Sequence, residues 1–168
     1  MFDRTRLFGI SQRKLTTLSF MKKDGVFQRS IPVAMAIIYQ DNKYLMQLRD
    51  DFPNIVHPGV WGFFGGHLEP EEDPETGLKR ELIEEIDYSV EQLTKFCCHI
   101  DGGVIRHIFS CALTVPLEQL ELKEGWDMGL LSLSDIQRGY GYSLKAKAAK
   151  PIGAIHRQIL LDFLAIAN

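Results

Sequence analysis

The chain has 168 residues, of which 45% are hydrophobic and 24% are charged, and its formal net charge at pH 7 is −3. This length suits one domain with a substantial core and is too short for two ordinary ones, so we predict a single domain over residues 1–168. The acidic balance lacks the basic surface that nucleic-acid binding requires. Since no apolar run approaches the length of a membrane span and no signal-peptide core precedes the domain, we expect a cytoplasmic protein without nucleic-acid or membrane partners.

The cysteines are few and odd in number: Cys97, Cys98 and Cys111. Their spacing is not that of a metal site, and an odd count in a chain of this kind favours reduced thiols. We expect them at buried strand positions, with a redox site as the alternative.

Short β-prone runs separated by turn residues dominate the pattern. Residues 1–30 are mixed and basic and are interpreted as an N-terminal extension. The predicted strands are 15–20, 31–39, 43–49, 60–64, 93–100, 104–115 and 130–133. The predicted helices are 74–86, a short helix over 135–138 capped by Ser134, and a final helix that Pro151 opens. The segment 139–150 between the last two helices is predicted to be a mobile loop. This irregular alternation indicates an α/β domain with a mixed sheet between helices.

The helix over 74–86 carries an unusual set of charges. Asp73 is a good N-cap and Pro74 a good first residue for it. Glu81, Glu84 and Glu85 follow at i, i+3 and i+4, which places them on one face near the C-terminus. Each such like-charge pair costs about 3 kcal/mol at an effective dielectric of 20, and the helix dipole disfavours anions at this end. A hard divalent cation bound by the clustered carboxylates would turn this repulsion into a binding site.

The same helix belongs to a longer pattern whose fixed positions are Gly66, Glu72, Arg80, Glu81, Glu84 and Glu85. This pattern, over residues 65–88, resembles the Nudix box of the Nudix hydrolases. Six positions that each match at about one chance in fifteen coincide by accident roughly once in 10⁷ windows. The flanks are also similar to the family, because a strand with Trp61 precedes the glycine pair and an acidic loop around Glu124 follows the later strands.

The resemblance implies a Nudix fold, in which a mixed β-sheet is sandwiched between helices (α/β/α), and hydrolysis of a nucleoside diphosphate linked to another group with Mg²⁺ or Mn²⁺. Divalent ions neutralise the charge that spreads over phosphate oxygens and orient the attacking water. The implied metal ligands are the carbonyl of Gly65 and the carboxylates of Glu81, Glu84 and Glu85.

Other positions of the box have implied structural roles. Gly66, with Gly65, lets the backbone approach the ion, and Arg80 pairs with Glu72 to tie the helix to the preceding loop. Three positions depart from the family: Asp87 stands where a glycine usually ends the helix, Glu71 replaces a common glycine, and Phe64 replaces a common proline. Aspartate tolerates the left-handed turn better than most residues, so we expect the turn to survive at some cost.

The general base has two sources in this family, the box helix or a loop after the later strands. Glu124 lies in the right sort of loop and is a candidate for the base or for an extra metal ligand, while ordinary loop acidity is the rival explanation. Together with Glu81, Glu85 and Arg80 it forms the predicted catalytic set.

Candidates for substrate binding are fewer and less specific. Arg49, at the end of the predicted strand 43–49, is placed to reach a phosphate, although a solvated strand end is an equal alternative. His67 beside the glycine pair is a second phosphate candidate. Trp126, Phe52 or Tyr140 would stack on a base, but packing is the commoner role of aromatic residues.

The substrate most consistent with a small chain without added domains is a nucleoside triphosphate, ordinary or oxidised, cleaved to monophosphate and pyrophosphate. The alternatives are a nucleotide-sugar or ADP-ribose type of pyrophosphatase and a non-catalytic nucleotide-sensing module. Gly103 stands where ADP-ribose pyrophosphatases of the family carry a proline, which disfavours the first alternative. The sequence leaves the nucleobase, the leaving group, the preferred metal and the choice between monomer and homodimer open.

Overall fold

A computed structural model describes residues 20–23, 26–54 and 57–167 of the protein. Apart from Phe20, the predicted strand at 15–20 lies outside the described residues. The strands are β1 (Phe20–Lys23), β2 (Val26–Arg29), β3 (Ile31–Gln40), β4 (Lys43–Leu48), β5 (Trp61–Gly62), β6 (Phe64–His67), β7 (Thr94–Asp101), β8 (Val104–Ala112), β9 (Asp127–Ser132), β10 (Tyr140–Ser143) and β11 (Ala148–Pro151). The helices are α1 (Pro74–Ile86), α2 (Leu133–Arg138) and α3 (Ala154–Ala167), with a 3₁₀ turn at Leu117–Gln119.

The main sheet is organised around β3. Strand β3 pairs in parallel with β8 along its length and antiparallel with two strands on its other edge, β6 near its start and β4 near its end. The strand order is β5-β4-β3-β8-β7, with β6 added on β3 and β9 on β4. The predicted mixed sheet is therefore confirmed. The predicted strand at 60–64 is divided between β5 and β6, which pair with different neighbours.

Helices cover both faces of this sheet, as the sequence predicts for an α/β fold. Helix α1 buries Leu78, Leu82 and Ile86 against one face. Helix α3 buries Ile159 and Leu160 against the other face, together with α2. Complete burial of a large aliphatic side chain stabilises a fold by about 1.5–3 kcal/mol, so these contacts hold both helix layers on the sheet. The order of helix, sheet and helix is the α/β/α arrangement that the resemblance implies.

The segment 139–150 is a β-hairpin, and the prediction of a mobile loop is wrong. Strands β10 and β11 pair antiparallel from Tyr140 opposite Pro151 to Ser143 opposite Ala148. The indole N–H of Trp61 donates to the carbonyl of Gly141 at 3.0 Å inside the core. This long-range contact anchors the hairpin and is invisible in the local composition.

The start of the last helix is also corrected. Pro151 ends β11, and α3 begins at Ala154. The chain is still extended at Ile152, whose N–H donates to the carbonyl of Gly139, and Gly153 donates to the carbonyl of Trp61. Proline at a strand end loses no ladder bond that the sheet requires, which is why the position suits a strand end as well as a helix start.

The region 124–138 differs from prediction in two respects. Asp127 is buried and begins β9, so this strand starts three residues before the predicted strand at 130–133. Its carboxylate accepts hydrogen bonds from the hydroxyl of Ser143 at 2.6 Å and from the backbone N–H groups of Met128 and Lys145, so both buried oxygens have donors. The N-cap of α2 is Ser132 and not Ser134, because Ser132 and Asp135 satisfy each other's backbone N–H groups in a capping box.

All three cysteines lie in strands and are free thiols. Cys111 is buried as predicted, but Cys98 is exposed and Cys97 is partly exposed because β7 is an edge strand of the sheet. No helix in the described part of the chain is long and apolar enough to cross a membrane.

Candidate active site

Helix α1 begins and ends where the sequence predicts. The Asp73 carboxylate accepts hydrogen bonds of 3.1 Å from the backbone N–H groups of Glu75 and Thr76 and so caps the N-terminus. At the other end Asp87 adopts the left-handed conformation with φ of 53°, and its N–H donates to the carbonyl of Ile83. The left-handed turn that glycine usually makes in the family is therefore retained with aspartate.

Arg80 connects the helix to the loop before it. Its guanidinium donates two parallel hydrogen bonds of 3.0 Å to Glu72, and this contact lowers the pKa of the Glu72 carboxyl. Such bidentate pairs fix geometry as well as charge. The Nη1 atom of Arg80 donates to the carboxylates of Glu81 at 2.8 Å and Glu84 at 3.1 Å. The Nη2 atom also donates to the backbone carbonyl of His67 at 3.1 Å. The positive charge of Arg80 thus offsets part of the repulsion among the three helix glutamates. The repulsion that we expected from their spacing alone did not include this attraction.

Glu85 is the buried member of the three glutamates, with only 7% of its surface exposed. Its carboxylate accepts a hydrogen bond of 2.8 Å from the backbone N–H of Gly65. Burial raises the pKa of Glu85 to about 7, the Gly65 bond opposes this rise, and the negative charges of Glu81 and Glu124 add to it. A nearby cation would stabilise the anionic form of this carboxyl group.

Gly66 lies directly against the carboxylate of Glu81. A Cβ atom at this position would lie 2.5 Å from a Glu81 oxygen, so the carboxylate would have to move aside. Glycine therefore lets β6 and the carboxylate lie in direct contact. Gly65 precedes it in β6 and uses its N–H for Glu85, while the role of its carbonyl as a metal ligand stays a prediction.

A loop from far along the chain meets this helix. The N–H of Lys123 donates to the carbonyl of Glu85 at 2.8 Å, and the N–H of Trp126 donates to the carbonyl of Leu48 at 2.8 Å. Between these anchors, the backbone carbonyl of Glu124 accepts a bond of 2.9 Å from the side-chain amide of Gln47. The loop thereby brings Glu124 to the box helix, although 39 positions separate it from Glu85 in the sequence.

These elements enclose an open, polar cleft of about 440 Å³. Its lining residues are Gln47, Arg49, Asp50, Glu85, Lys123, Glu124 and Gly125. The cleft unites a carboxylate of the box helix, a carboxylate of the later loop and the predicted phosphate-binding arginine. Sequence reasoning missed Gln47, for which the available signal was a glutamine inside the otherwise apolar strand 44–48.

The predicted substrate-binding residues do not all share this cleft. Arg49 lines it. His67 is exposed and is tied through its carbonyl to Arg80, and it does not contribute to the lining. Trp126 packs on the apolar cluster that includes Ile159 and Leu160 of α3, and the ammonium of Lys150 lies 4.8 Å from the centre of its ring. Stacking of a base on that face of Trp126 would require Lys150 to share or leave it.

The donor set suits a hard divalent cation, because Glu81, Glu85 and Glu124 offer carboxylate oxygens of the kind that Mg²⁺ and Mn²⁺ prefer. The tight space between Gly66 and Glu81 also fits close approach of backbone and carboxylate. Within the described ranges, however, no three acidic, histidine or cysteine side chains are already grouped as a metal site. Glu81 is instead held by Arg80, and Glu85 by Gly65.

Known proteins are similar to this chain in sequence or in fold. The family model of the NUDIX domain matches residues 29–150. A MutT-like protein of Streptomyces ambofaciens is 34% identical over 84 residues, which cover 49% of this chain and 51% of the relative, so the match spans about half the length of that protein.

Solved structures of similar shape include the MutT protein of Methanosarcina mazei, with a TM-score of 0.64, 18% identity, and coverage of 83% of this chain and 96% of that one. The NUDIX domain of Shewanella oneidensis NrtR, solved in complex with ADP ribose, also has a TM-score of 0.64, with 17% identity and coverage of 88% and 94%. At these identities the two structures show the common fold.

Proposed function

Because the chain belongs to the Nudix family, we propose that it is a divalent-cation-dependent pyrophosphohydrolase acting on a nucleoside diphosphate linked to another group. The foremost substrate is a nucleoside triphosphate, ordinary or oxidised, which is cleaved to monophosphate and pyrophosphate. The observation that carries this proposal is that Glu85 of the box helix and Glu124 of a distant loop line one polar cleft beside Arg49.

The residues that would hold Mg²⁺ or Mn²⁺ are Glu81, Glu84, Glu85 and the carbonyl of Gly65, with the Glu124 carboxylate as an additional oxygen donor. When bound, the cation supplies charge neutralisation at the phosphate oxygens and a more acidic water. The bidentate contact between Arg80 and Glu72 fixes the position of the box helix relative to the loop before it, and Glu85 of that helix lines the cleft.

Arg49 would bind a phosphate of the substrate from within the cleft, because a guanidinium matches phosphate oxygens in geometry and charge. Substrate orientation then depends on a residue outside the box, at the end of β4. The box residues would therefore hold the cation, while Arg49, directly after β4, would hold the polyphosphate.

Glu124 would act as the general base. Its carboxylate takes a proton from the attacking water, whose oxygen forms the new bond to phosphorus as the bond to the bridging oxygen breaks. The electron pair of that broken bond leaves with pyrophosphate, and the exposed position of Glu124 lets the proton pass to solvent. Glu85 of the box helix, which lines the same cleft, is the alternative base.

The test is a hydrolysis panel in Mg²⁺ and in Mn²⁺ with ordinary and oxidised nucleoside triphosphates, ADP-ribose, nucleotide sugars and dinucleoside polyphosphates. Release of pyrophosphate and monophosphate from a triphosphate is the expected result. Absence of turnover on every compound, under conditions where the protein is folded, would refute the proposal.

ADP-ribose is the second candidate substrate, because the structurally similar NrtR domain was solved with that ligand. Release of AMP from ADP-ribose at a higher kcat/KM than from any triphosphate would select it. A sensing module is the third candidate, and it would show tight nucleotide binding without hydrolysis. The retention of Glu81, Glu84 and Glu85 argues for hydrolysis, since these carboxylates serve chemistry that a sensor does not need.

A further inference from the structure

Gln47 is a buried polar residue near the end of β4, between two apolar residues. Only 5% of its surface is exposed, and its neighbours Met46 and Leu48 are completely buried. A buried amide is tolerated when its hydrogen-bonding groups are satisfied, so the partners of Gln47 indicate its role. The amide donates to the carbonyl of Glu124 at 2.9 Å, and Gln47 lines the same cleft as Glu85.

The backbone of the loop beside Glu124 can contact Gln47 closely because the next residue is a glycine. Gly125 has φ of +96°, a conformation that side chains with a Cβ rarely adopt, and a Cβ atom here would lie 2.9 Å from Cγ of Gln47. The backbone of the loop therefore rests directly on the glutamine side chain. Lys123 and Trp126 anchor the two ends of the loop through their N–H groups, and Gln47 holds its centre.

We propose that Gln47 is a positioning residue that sets the Glu124 carboxylate against Glu85 across the cleft and thereby sets both cation affinity and turnover. The inference rests on the proposed function. Its physical basis is that the Glu124 side chain is exposed and that the buried amide of Gln47 holds the Glu124 backbone between the two end anchors of the loop. Groups that orient metal-binding and catalytic side chains in this way commonly change metal affinity or activity by about 10–100-fold when lost.

Gln40 provides a matched control at the opposite end of the β3–β4 pair. Its side-chain amide also crosses to a distant backbone, donating to the carbonyls of Leu113 at 3.1 Å and Val115 at 3.2 Å. It does not line the cleft. Gln40→Met and Gln47→Met each replace an amide by an unbranched apolar side chain of similar length, so both remove the same kind of bond.

The experiment compares these two variants of the full chain with the wild type. The measurements are kcat and KM on the best substrate of the panel, and Mn²⁺ affinity by electron paramagnetic resonance without nucleotide. Gln47→Met is expected to lower kcat by about 10-fold or more, change KM by less than about threefold, and weaken Mn²⁺ binding by about 10-fold. Gln40→Met is expected to leave all three unchanged. Equal values in the two variants would overturn the inference and leave Gln47 a structural residue.

A second variant keeps the inference testable if Gln47→Met does not fold. In Gly125→Ala the added methyl group pushes the loop away from Gln47, while the sequence of β4 stays unchanged. The same losses of kcat and of Mn²⁺ affinity are therefore expected. Normal turnover and normal Mn²⁺ binding in Gly125→Ala would contradict the inference. A wild-type protein that binds Mn²⁺ but hydrolyses nothing refutes the proposed function, while the Mn²⁺ comparison still decides the role of Gln47. A wild type that does neither refutes both.

Discussion

Lys123 donates from its ammonium group to the carboxylate of Asp87 at 2.9 Å, which joins the end of the box helix to the loop that carries Glu124. The same ammonium lies 3.4 Å from the carbonyl oxygen of Ile83, at the negative end of the helix dipole. Both charged side chains are more than one third exposed, so solvent screening limits the pair to less than about 1 kcal/mol. The aspartate that departs from the family glycine therefore gains a partner that a glycine would lack.

This relationship predicts unequal effects at the two positions where the family glycine is replaced. Glu71 and Asp87 both have positive φ, of 64° and 53°. Glu71→Gly is expected to raise the free energy of unfolding by about 1 kcal/mol, because it relieves a left-handed conformation at an exposed site. Asp87→Gly is expected to gain less, since aspartate tolerates this conformation and the contact with Lys123 is lost. Urea denaturation measures both, and a larger gain at position 87 would contradict this account.

Glu85→Gln is expected to lower turnover by two orders of magnitude or more while the fold is retained. The amide keeps the size of the side chain but removes the charge that would hold a cation beside Gly65. Circular dichroism and kcat are the measurements. The control is Glu75→Gln on the same helix, which loses only the exposed pair with Lys79. Near-normal activity of Glu85→Gln would refute the metal-site assignment.

Arg80→Lys is expected to impair both stability and activity although it conserves charge. A lysine ammonium cannot make the parallel pair of bonds to Glu72 and still reach Glu81. The helix and the loop before it would therefore no longer be held in a fixed relative position. We expect a lower Tm and about a 10-fold loss in kcat. Lys79→Met, which breaks a partly exposed pair one position earlier, should change either value little. The role of Arg80 as a brace would be wrong if the two variants behaved alike.

We expect the low pKa of His156 to make the free energy of unfolding fall in acid. Its Nδ1 accepts a bond of 2.9 Å from the N–H of Phe63, and burial, with the nearby charges of Arg106, His57 and Arg49, lowers its pKa to about 4. The unfolded chain, with a histidine pKa of about 6.5, binds more protons between these two values. The free energy of unfolding should therefore fall, by up to about 3 kcal/mol, as the pH drops from about 6.5 to about 4.

The matching variant is His156→Asn, whose side-chain oxygen can accept the bond from Phe63 but does not titrate. Its stability should depend less on pH over this window, measured by urea denaturation at a series of pH values. Parallel curves for wild type and variant would show that His156 does not control the acid sensitivity.

The sequence alone determined the features that are local in the chain. Helix α1 was predicted from Asp73 to its end because capping and charge patterns act between residues a few positions apart. The contact of Arg80 with Glu72 followed from the resemblance, as did the α/β/α order. Repulsion among the helix glutamates was overestimated, because the side-chain direction of Arg80 is not evident from spacing.

Only the tertiary structure decided which distant segments meet. The hairpin at 140–151 depends on Trp61, the burial of Asp127 depends on Ser143, and the position of Glu124 depends on Gln47. These contacts cannot be recognised from the periodicity or the composition of the sequence. Each is a hydrogen bond between residues 16 to 80 positions apart, and it needs only one donor and one acceptor. The sequence thus determined the box helix and its charges, and the folding of later strands onto that helix decided which side chains share its cleft.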